Sequence, residues 1–399
     1  MARLPIALVI AGTRPEIIKL APIIHALAAD GRLRPLLGLT GQHHELVRPL
    51  LTLFGLAPAF NLALMRPDQT PKAILAAALD ALGPLVARVA PAVILVQGDT
   101  VSALAGALAG FYAGVPVAHV EAGLRAPDPG APHPEEGQRQ LIGRVARWHF
   151  APTCRAAAAL RAEGVPAARI QVTGNSGIDT LLAMARRLEE TPGLARQADA
   201  ALPCLPADRP LVVVTIHRRE NRGARLGGIC AGLRAIAAAE EAQLVISVHP
   251  SPSVAHALHR ELGGVAGITL IDPPAYPAFV RLLRRAQLVI SDSGGLQEEA
   301  PALGLPLLVL RDSTERPEAV EAGVAALVGA DPWRIAGAAR AVLRDPRVAA
   351  WMGRRLDLFG DGQAAARMAD VLGAELCTTA SPARAGGHCQ LAPPSSAVA

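Results

Sequence analysis

The sequence predicts an α/β protein of two Rossmann-like, doubly wound parallel-sheet domains facing a central cleft, and three observations carry that prediction. Short apolar runs alternate with longer helical patterns, which is the rhythm of βαβ units. The runs are apolar throughout instead of alternating, as strands are when helices cover both faces of a parallel sheet. After a proline-rich gap around Pro203–Pro210 the rhythm starts again.

The first set of strands is expected at Leu4–Ile10, Pro35–Leu39, Ala92–Val96, Val115–Val120 and Ile170–Thr173. The second set falls at Leu211–Ile216, Leu244–Val248, Ile268–Ile271, Leu288–Ser291 and Leu305–Leu310. Helical stretches rich in Ala, Leu and Arg lie between them, as at Ala73–Val89 and Ile229–Glu240. We expect an N-terminal domain over 1–172 and a C-terminal domain over 173–356. A helix at 357–374 packs back on the first domain, and 375–399, rich in Ala, Pro, Ser and Gly, forms a flexible tail. Ligands of such sheets bind beyond the carboxyl ends of the strands, so two facing domains put the site in the cleft.

Composition narrows the function. Of 399 residues 51% are apolar and 18% charged, which excludes a largely disordered chain. The net charge is +5, but the basic residues are scattered and aromatics make up only 3%, so nucleic acid is not the expected partner. A small molecule bearing phosphate suits that charge. Lys19 and Lys72 are the only lysines, so a lysine within a motif stands out. The five cysteines, Cys154, Cys204, Cys230, Cys377 and Cys389, form no CxxC pair and read as free thiols of a cytoplasmic protein. The run Leu4–Ile10 is far short of the roughly 20 apolar residues of a membrane span and leads to no cleavage site, so membrane insertion is not expected.

Charged and glycine-rich runs follow the strands. Gly12-Thr13-Arg14-Pro15-Glu16 turns from the first strand into a helix whose start, with Arg14 and Lys19, favours an anion. The plainer reading is an ordinary βα turn. Asp99 and Glu121 each end an apolar strand, where an acid is costly unless paired or used. Either could instead cap the next element. Glu135 and Arg139 stand four apart on one helical face, a spacing that a surface ion pair explains.

His217 follows a strand in the second half, placed to donate to a phosphate or to titrate near neutral pH. His256 and His259 read as a solvated helix face, and His249 has no metal partner at ligand spacing. In Ser291-Asp292-Ser293-Gly294-Gly295-Leu296-Gln297-Glu298-Glu299 a strand ends, glycines admit a ligand, and a helix starts with exposed N–H groups. Glu299, one turn in, suits ribose hydroxyls, and Arg316 follows the next strand. Gly360-Asp361-Gly362-Gln363-Ala364-Ala365 matches a dinucleotide fingerprint only in form, because no βαβ unit follows it. Neither a metal nor a nicotinamide cofactor is expected.

These runs resemble one family, the non-hydrolysing UDP-N-acetylglucosamine 2-epimerases. GTRPEIIKLAP, TGQH, VQGDT, HVEAGLR, PEEGQR, VTGNSGID, VTIHRREN, SDSGGLQEEAPALGLPLLVLR, STERPE and GDGQAA occur in the family's order from residue 12 to about 366. The resemblance implies a GT-B-like fold, UDP held mainly by the C-terminal domain, and a homodimer serving cell-surface polysaccharide synthesis. It implies elimination of UDP to 2-acetamidoglucal and re-addition, with Asp99, Glu121, Glu135 and His217 as catalytic groups. Arg14, Lys19, Arg139, Phe279, Ser293, Gly294, Gly295, Glu299 and Arg316 are the implied substrate contacts. A second, allosteric UDP-N-acetylglucosamine is implied at Gln42 and His43. One departure from the family is the proline-rich loop Ala126–Pro134 that carries Glu135. The competing readings are a 2-epimerase of a modified UDP sugar of the diacetamido uronate type, a GT-B glycosyltransferase, and a nucleotide-sugar sensor. The three acids argue against the last two.

Overall fold

The structure, a computed structural model, describes residues 4–378 except 43, 67–68, 127–132, 207, 240–241 and 250. The first sheet contains β1 (Ile6–Ala11), β2 (Arg34–Leu39), β3 (Pro58–Asn61), β4 (Val93–Gln97), β5 (Val117–Val120), β6 (Trp148–Ala151) and β7 (Ile170–Val172). Its seven strands run in the order β3-β2-β1-β4-β5-β6-β7. The second contains β8 (Leu211–Ile216), β9 (Gln243–Val248), β10 (Ile268–Ile271), β11 (Leu288–Ser291), β12 (Leu307–Val309) and β13 (Ala325–Leu327). Its order is β10-β9-β8-β11-β12-β13. All pairings are parallel.

The continuous apolar runs have the expected cause. Along β1, Ala7 and Val9 enter one core cluster while Leu8 and Ile10 enter another on the opposite face. Along β8, Leu211 and Val213 part from Val212 and Val214 in the same way. A strand buried on both faces has no polar side to show. Three strands are absent from the sequence reading. β3 begins with a proline at the sheet's edge and is largely exposed, β6 is four residues interrupted by His149, and β13 is Ala-Ala-Leu, which by propensity favours helix. Pairing with β12 overrides that propensity. The two helices named from sequence are present as Pro71–Val89 and Ala224–Ala239, with Glu240 outside the described residues.

In both sheets the strand order reverses beside the first strand, between β1 and β4 and between β8 and β11. Loops leaving such a switch point diverge to opposite faces and open a crevice. Gly12–Arg14 and Gly98–Thr100 leave the first switch point; His217 and Asp292–Ser293 leave the second.

The GDGQAA run has a packing role. The Asn175 N–H donates to Phe359 O at 2.6 Å, and Asp179 accepts from the N–H groups of Ala364 (3.3 Å) and Ala365 (2.8 Å). Asp179 thereby caps the last helix, Ala364–Thr378. A side chain at Gly360, whose φ is +140°, would press on Asn175 N at 3.2 Å. The capped helix lies against helix Arg14–Asp30, and Met368 and Leu372 share a core with Ile17 and Leu20.

Candidate active site

The second switch point is held by Asp292. Wholly buried after β11, it accepts from the His217 N–H (3.0 Å), the Arg218 N–H (2.9 Å), Asn221 Nδ2 (3.0 Å) and, at 2.9 Å, meets His217 Nδ1. Burial pushes its carboxyl up, but the His217 contact and the N–H donors outweigh that and hold it below the ordinary range. His217 is thus aimed by an acid on the neighbouring strand end.

Next to it starts helix Gly294–Leu303. Thr100 and Thr153 cap their helices by accepting from Ala103 and Ala156, whereas the Ser293 side chain makes no such bond. The first-turn N–H groups here are therefore available to an anion. A Cβ on Gly294 would fall 2.7 Å from Arg316 Nη1, so glycine is needed for the guanidinium beneath it. At Gly295 the nearest atoms to such a Cβ are 3.8 Å away, and the space opens into a cavity.

That cavity, about 330 Å³, lies between the two sheets. Arg14 and Lys19 line it from the first half; His217, Phe279, Ser293, Gly295 and Glu299 line it from the second. Tyr276, not singled out from sequence, joins them; its buried hydroxyl has no partner among the described residues. Glu299 has its pKa raised from 4.5 to about 7, by burial first and then by Glu298. A carboxyl that binds its proton more tightly when folded adds stability below its unfolded pKa and loses it as pH rises through the folded one. Thermal melts of Glu299→Gln should therefore gain on the parent protein between about pH 5 and about pH 8, and a constant difference would count against this environment.

The acids stand on the first sheet, at the carboxyl ends of β4 and β5. Glu121 follows β5 with φ +64°, a conformation that costs a non-glycine residue on the order of 1–3 kcal/mol. Such strain persists where surrounding contacts fix the residue. Lys19 Nζ reaches both carboxylate oxygens, at 2.6 and 2.8 Å, Gln97 Nε2 donates to one, and Arg316 Nη2 lies 3.3 Å away. Burial pushes Glu121 up, but Lys19 and then Arg316 outweigh it and hold it below the usual range. Asp99, by contrast, is pushed up by burial against the pull of Arg139. Two neighbouring carboxyls held apart in this way are suited to opposite acid and base duties.

Several sequence expectations are corrected here. Asp99 caps nothing, since Thr100 caps helix Val101–Tyr112; Asp99 pairs with Arg139 Nη2 at 2.6 Å. Arg139 is buried and does not form a surface pair with Glu135. Its other arm meets Glu136 at 2.9 Å, and the wholly buried Glu136 also accepts from the Ala126 N–H at 3.1 Å. One carboxylate thus ties both ends of the proline-rich loop. Glu135 opens helix Glu135–Val145 with a buried oxygen, Oε2, that has no partner among the described residues. Nor is the start of helix Arg14–Asp30 an open anion site: Glu16 accepts from the Gly12 (3.1 Å) and Thr13 (2.8 Å) N–H groups. Arg14 and Lys19 supply their charge through side chains alone.

Arg316, expected at the ligand, lies beneath Gly294 and does not line the cavity. Gln42 accepts from Ser102 Oγ at 3.1 Å, outside the cavity lining, and His43 falls outside the described residues, as do 127–132 of the proline-rich loop. His256 and His259 are exposed on their helix, as expected. Asp292, Glu136 and Tyr276 are the residues that sequence reasoning passed over.

The family model described as UDP-N-acetylglucosamine 2-epimerase matches residues 25–373. UDP-N-acetylglucosamine 2-epimerase of Salmonella typhimurium is 43% identical over 366 residues, covering 92% of this chain and 97% of that one. A crystal structure of UDP-GlcNAc 2-epimerase from Neisseria meningitidis bound to UDP-GlcNAc superposes with a TM-score of 0.89 at 36% identity, over 92% of this chain and 99% of the other. The Methanocaldococcus jannaschii enzyme in complex with UDP-GlcNAc and UDP gives 0.80 at 31% identity, over 92% and 99%. Two facing parallel sheets in the GT-B-like arrangement, a cavity between them and this agreement over nearly the whole chain lead to one conclusion: the protein belongs to the UDP-N-acetylglucosamine 2-epimerase family.

Proposed function

We propose that the protein interconverts UDP-N-acetylglucosamine and UDP-N-acetylmannosamine by eliminating UDP to 2-acetamidoglucal and adding it back. The observation that carries this reading is Lys19, which lines the cavity and pairs with Glu121. It makes the anion-binding space and the acid cluster one site.

The diphosphate lies at the uncapped start of helix Gly294–Leu303, with His217 held toward it by Asp292. As the bond from carbon 1 to the diphosphate oxygen breaks, that oxygen gains charge, and positioned N–H groups and cations stabilise it. The electron pair of the carbon 2–hydrogen bond becomes the new double bond while a carboxylate takes the proton. Glu121, held ionised, suits that removal. Asp99, held protonated more readily, suits delivery from the other face, and Glu135 has an oxygen with no partner to satisfy. Phe279 and Glu299 take the nucleoside end.

In deuterium oxide the epimeric product should carry deuterium at carbon 2 and nowhere else, by mass spectrometry and proton NMR. Long incubation should release traces of UDP and 2-acetamidoglucal. Full retention of the original hydrogen, or turnover that needs added NAD, would overturn the mechanism.

A further inference from the structure

Arg316 touches both halves of this site. It stands on the loop after β12, and its three edges each meet a carboxylate: Nε with Glu298 at 2.5 Å, Nη1 with Glu315 at 2.6 Å, and Nη2 with Glu121 at 3.3 Å. The first two partners belong to the second sheet's loops and helices; Glu121 belongs to the first sheet. Above the guanidinium sits Gly294, the opening residue of the helix assigned to the diphosphate, so close that one added carbon would collide. Guanidinium and helix start therefore pack directly on each other.

We propose that Arg316 is a positioning residue that ties the ionisation of Glu121 to the seat of the diphosphate helix, so that the base is in its working form only while that helix start faces the first sheet. The proposal rests on the reading of Glu121 as an acid/base group. The charges facing Glu121 make it specific. Helix Arg14–Asp30 brings Lys19 into contact, β4 and its loop bring Gln97 and Asp99, and helix Glu135–Val145 brings Arg139 at longer range. All of these belong to the first sheet's half. His119, on Glu121's own strand, is kept uncharged by burial, with a pKa of about 3. From the second sheet come Arg316, in contact, and Glu298, which Arg316 itself neutralises. Among the described residues Arg316 is thus the contacting cation that depends on how the two sheets are set.

The test is the pH dependence of kcat in Arg316→Gln and Arg316→Lys, with Glu121→Gln as control. Removing an opposite charge at this distance should move the acid limb up by about 1–3 pH units in Arg316→Gln. The shorter lysine should move it the same way by about half a unit, and carries the test alone if the glutamine variant does not fold. A packing role would lower kcat at every pH and leave the limb in place; an unmoved limb in Arg316→Lys overturns the coupling. Wild-type turnover in Glu121→Gln would instead defeat the acid/base reading. Collapse in Glu121→Gln with an unmoved limb defeats the coupling alone.

Discussion

Replacing Asp99 by asparagine is expected to lower kcat by roughly 10²–10⁴-fold while leaving the melting temperature close to that of the parent protein. The partner of Asp99, Arg139, keeps a second carboxylate, Glu136, so the change orphans no charge. What it removes is a titratable carboxyl at the mouth of β4. Glu121→Gln should lose turnover to the same degree but also stability, because the half-buried Lys19 and the buried Arg316 both lean on that carboxylate. Steady-state kinetics beside thermal melts separates the two. Near-normal turnover in Asp99→Asn removes Asp99 from proton transfer.

The largest loss of stability is expected from Asp292→Ala, on the order of 3 kcal/mol or more. The change leaves the His217 and Arg218 N–H groups without their acceptor and Asn221 Nδ2 with Leu310 O alone. A carboxyl whose pKa is held down contributes stability above its unfolded pKa and loses it as pH falls through the lowered, folded one. The gap in melting temperature between parent and variant should therefore narrow below about pH 4. His217 loses its orientation at the same time, so kcat should fall even where the fold holds. A variant that melts like the parent protein at neutral pH would mean that water replaces the carboxylate, and that Asp292 does not anchor this turn.

Much of this was legible in the sequence, for reasons that also mark where legibility stops. Strands buried on both faces announce themselves as unbroken apolar runs, and a charged residue at such a run's carboxyl end is already at the mouth of the sheet. That is how Asp99, Glu121 and His217 could be chosen. Asp292 lies in the glycine-rich run after β11, yet its partners come from the loop after another strand, and no local pattern names them. The clue was its place at a strand end next to the one carrying His217. Helical spacing shows which face Arg139 takes but not which neighbour covers that face, and Glu136, not Glu135, makes the pair. Thr13-Arg14-Pro15-Glu16 has the Thr-x-x-Glu spacing of a capping box, a local signal against the open anion site expected at this helix start. Short strands such as β13 owe their conformation to a neighbour distant in sequence, and local composition does not contain that information.

The return of the last helix to the first sheet has a consequence for how the molecule comes into being. Ile17 and Leu20 leave the ribosome well before Met368 and Leu372, which share their core, have been made. A nascent N-terminal half can pair its strands and close helix Arg14–Asp30 over one face, but it carries an uncovered apolar stripe until helix Ala364–Thr378 has been made. The second sheet, whose strands lie between residues 211 and 327, has by then been made in full. Of the two sheets, the one synthesised first is therefore the one whose core is completed last.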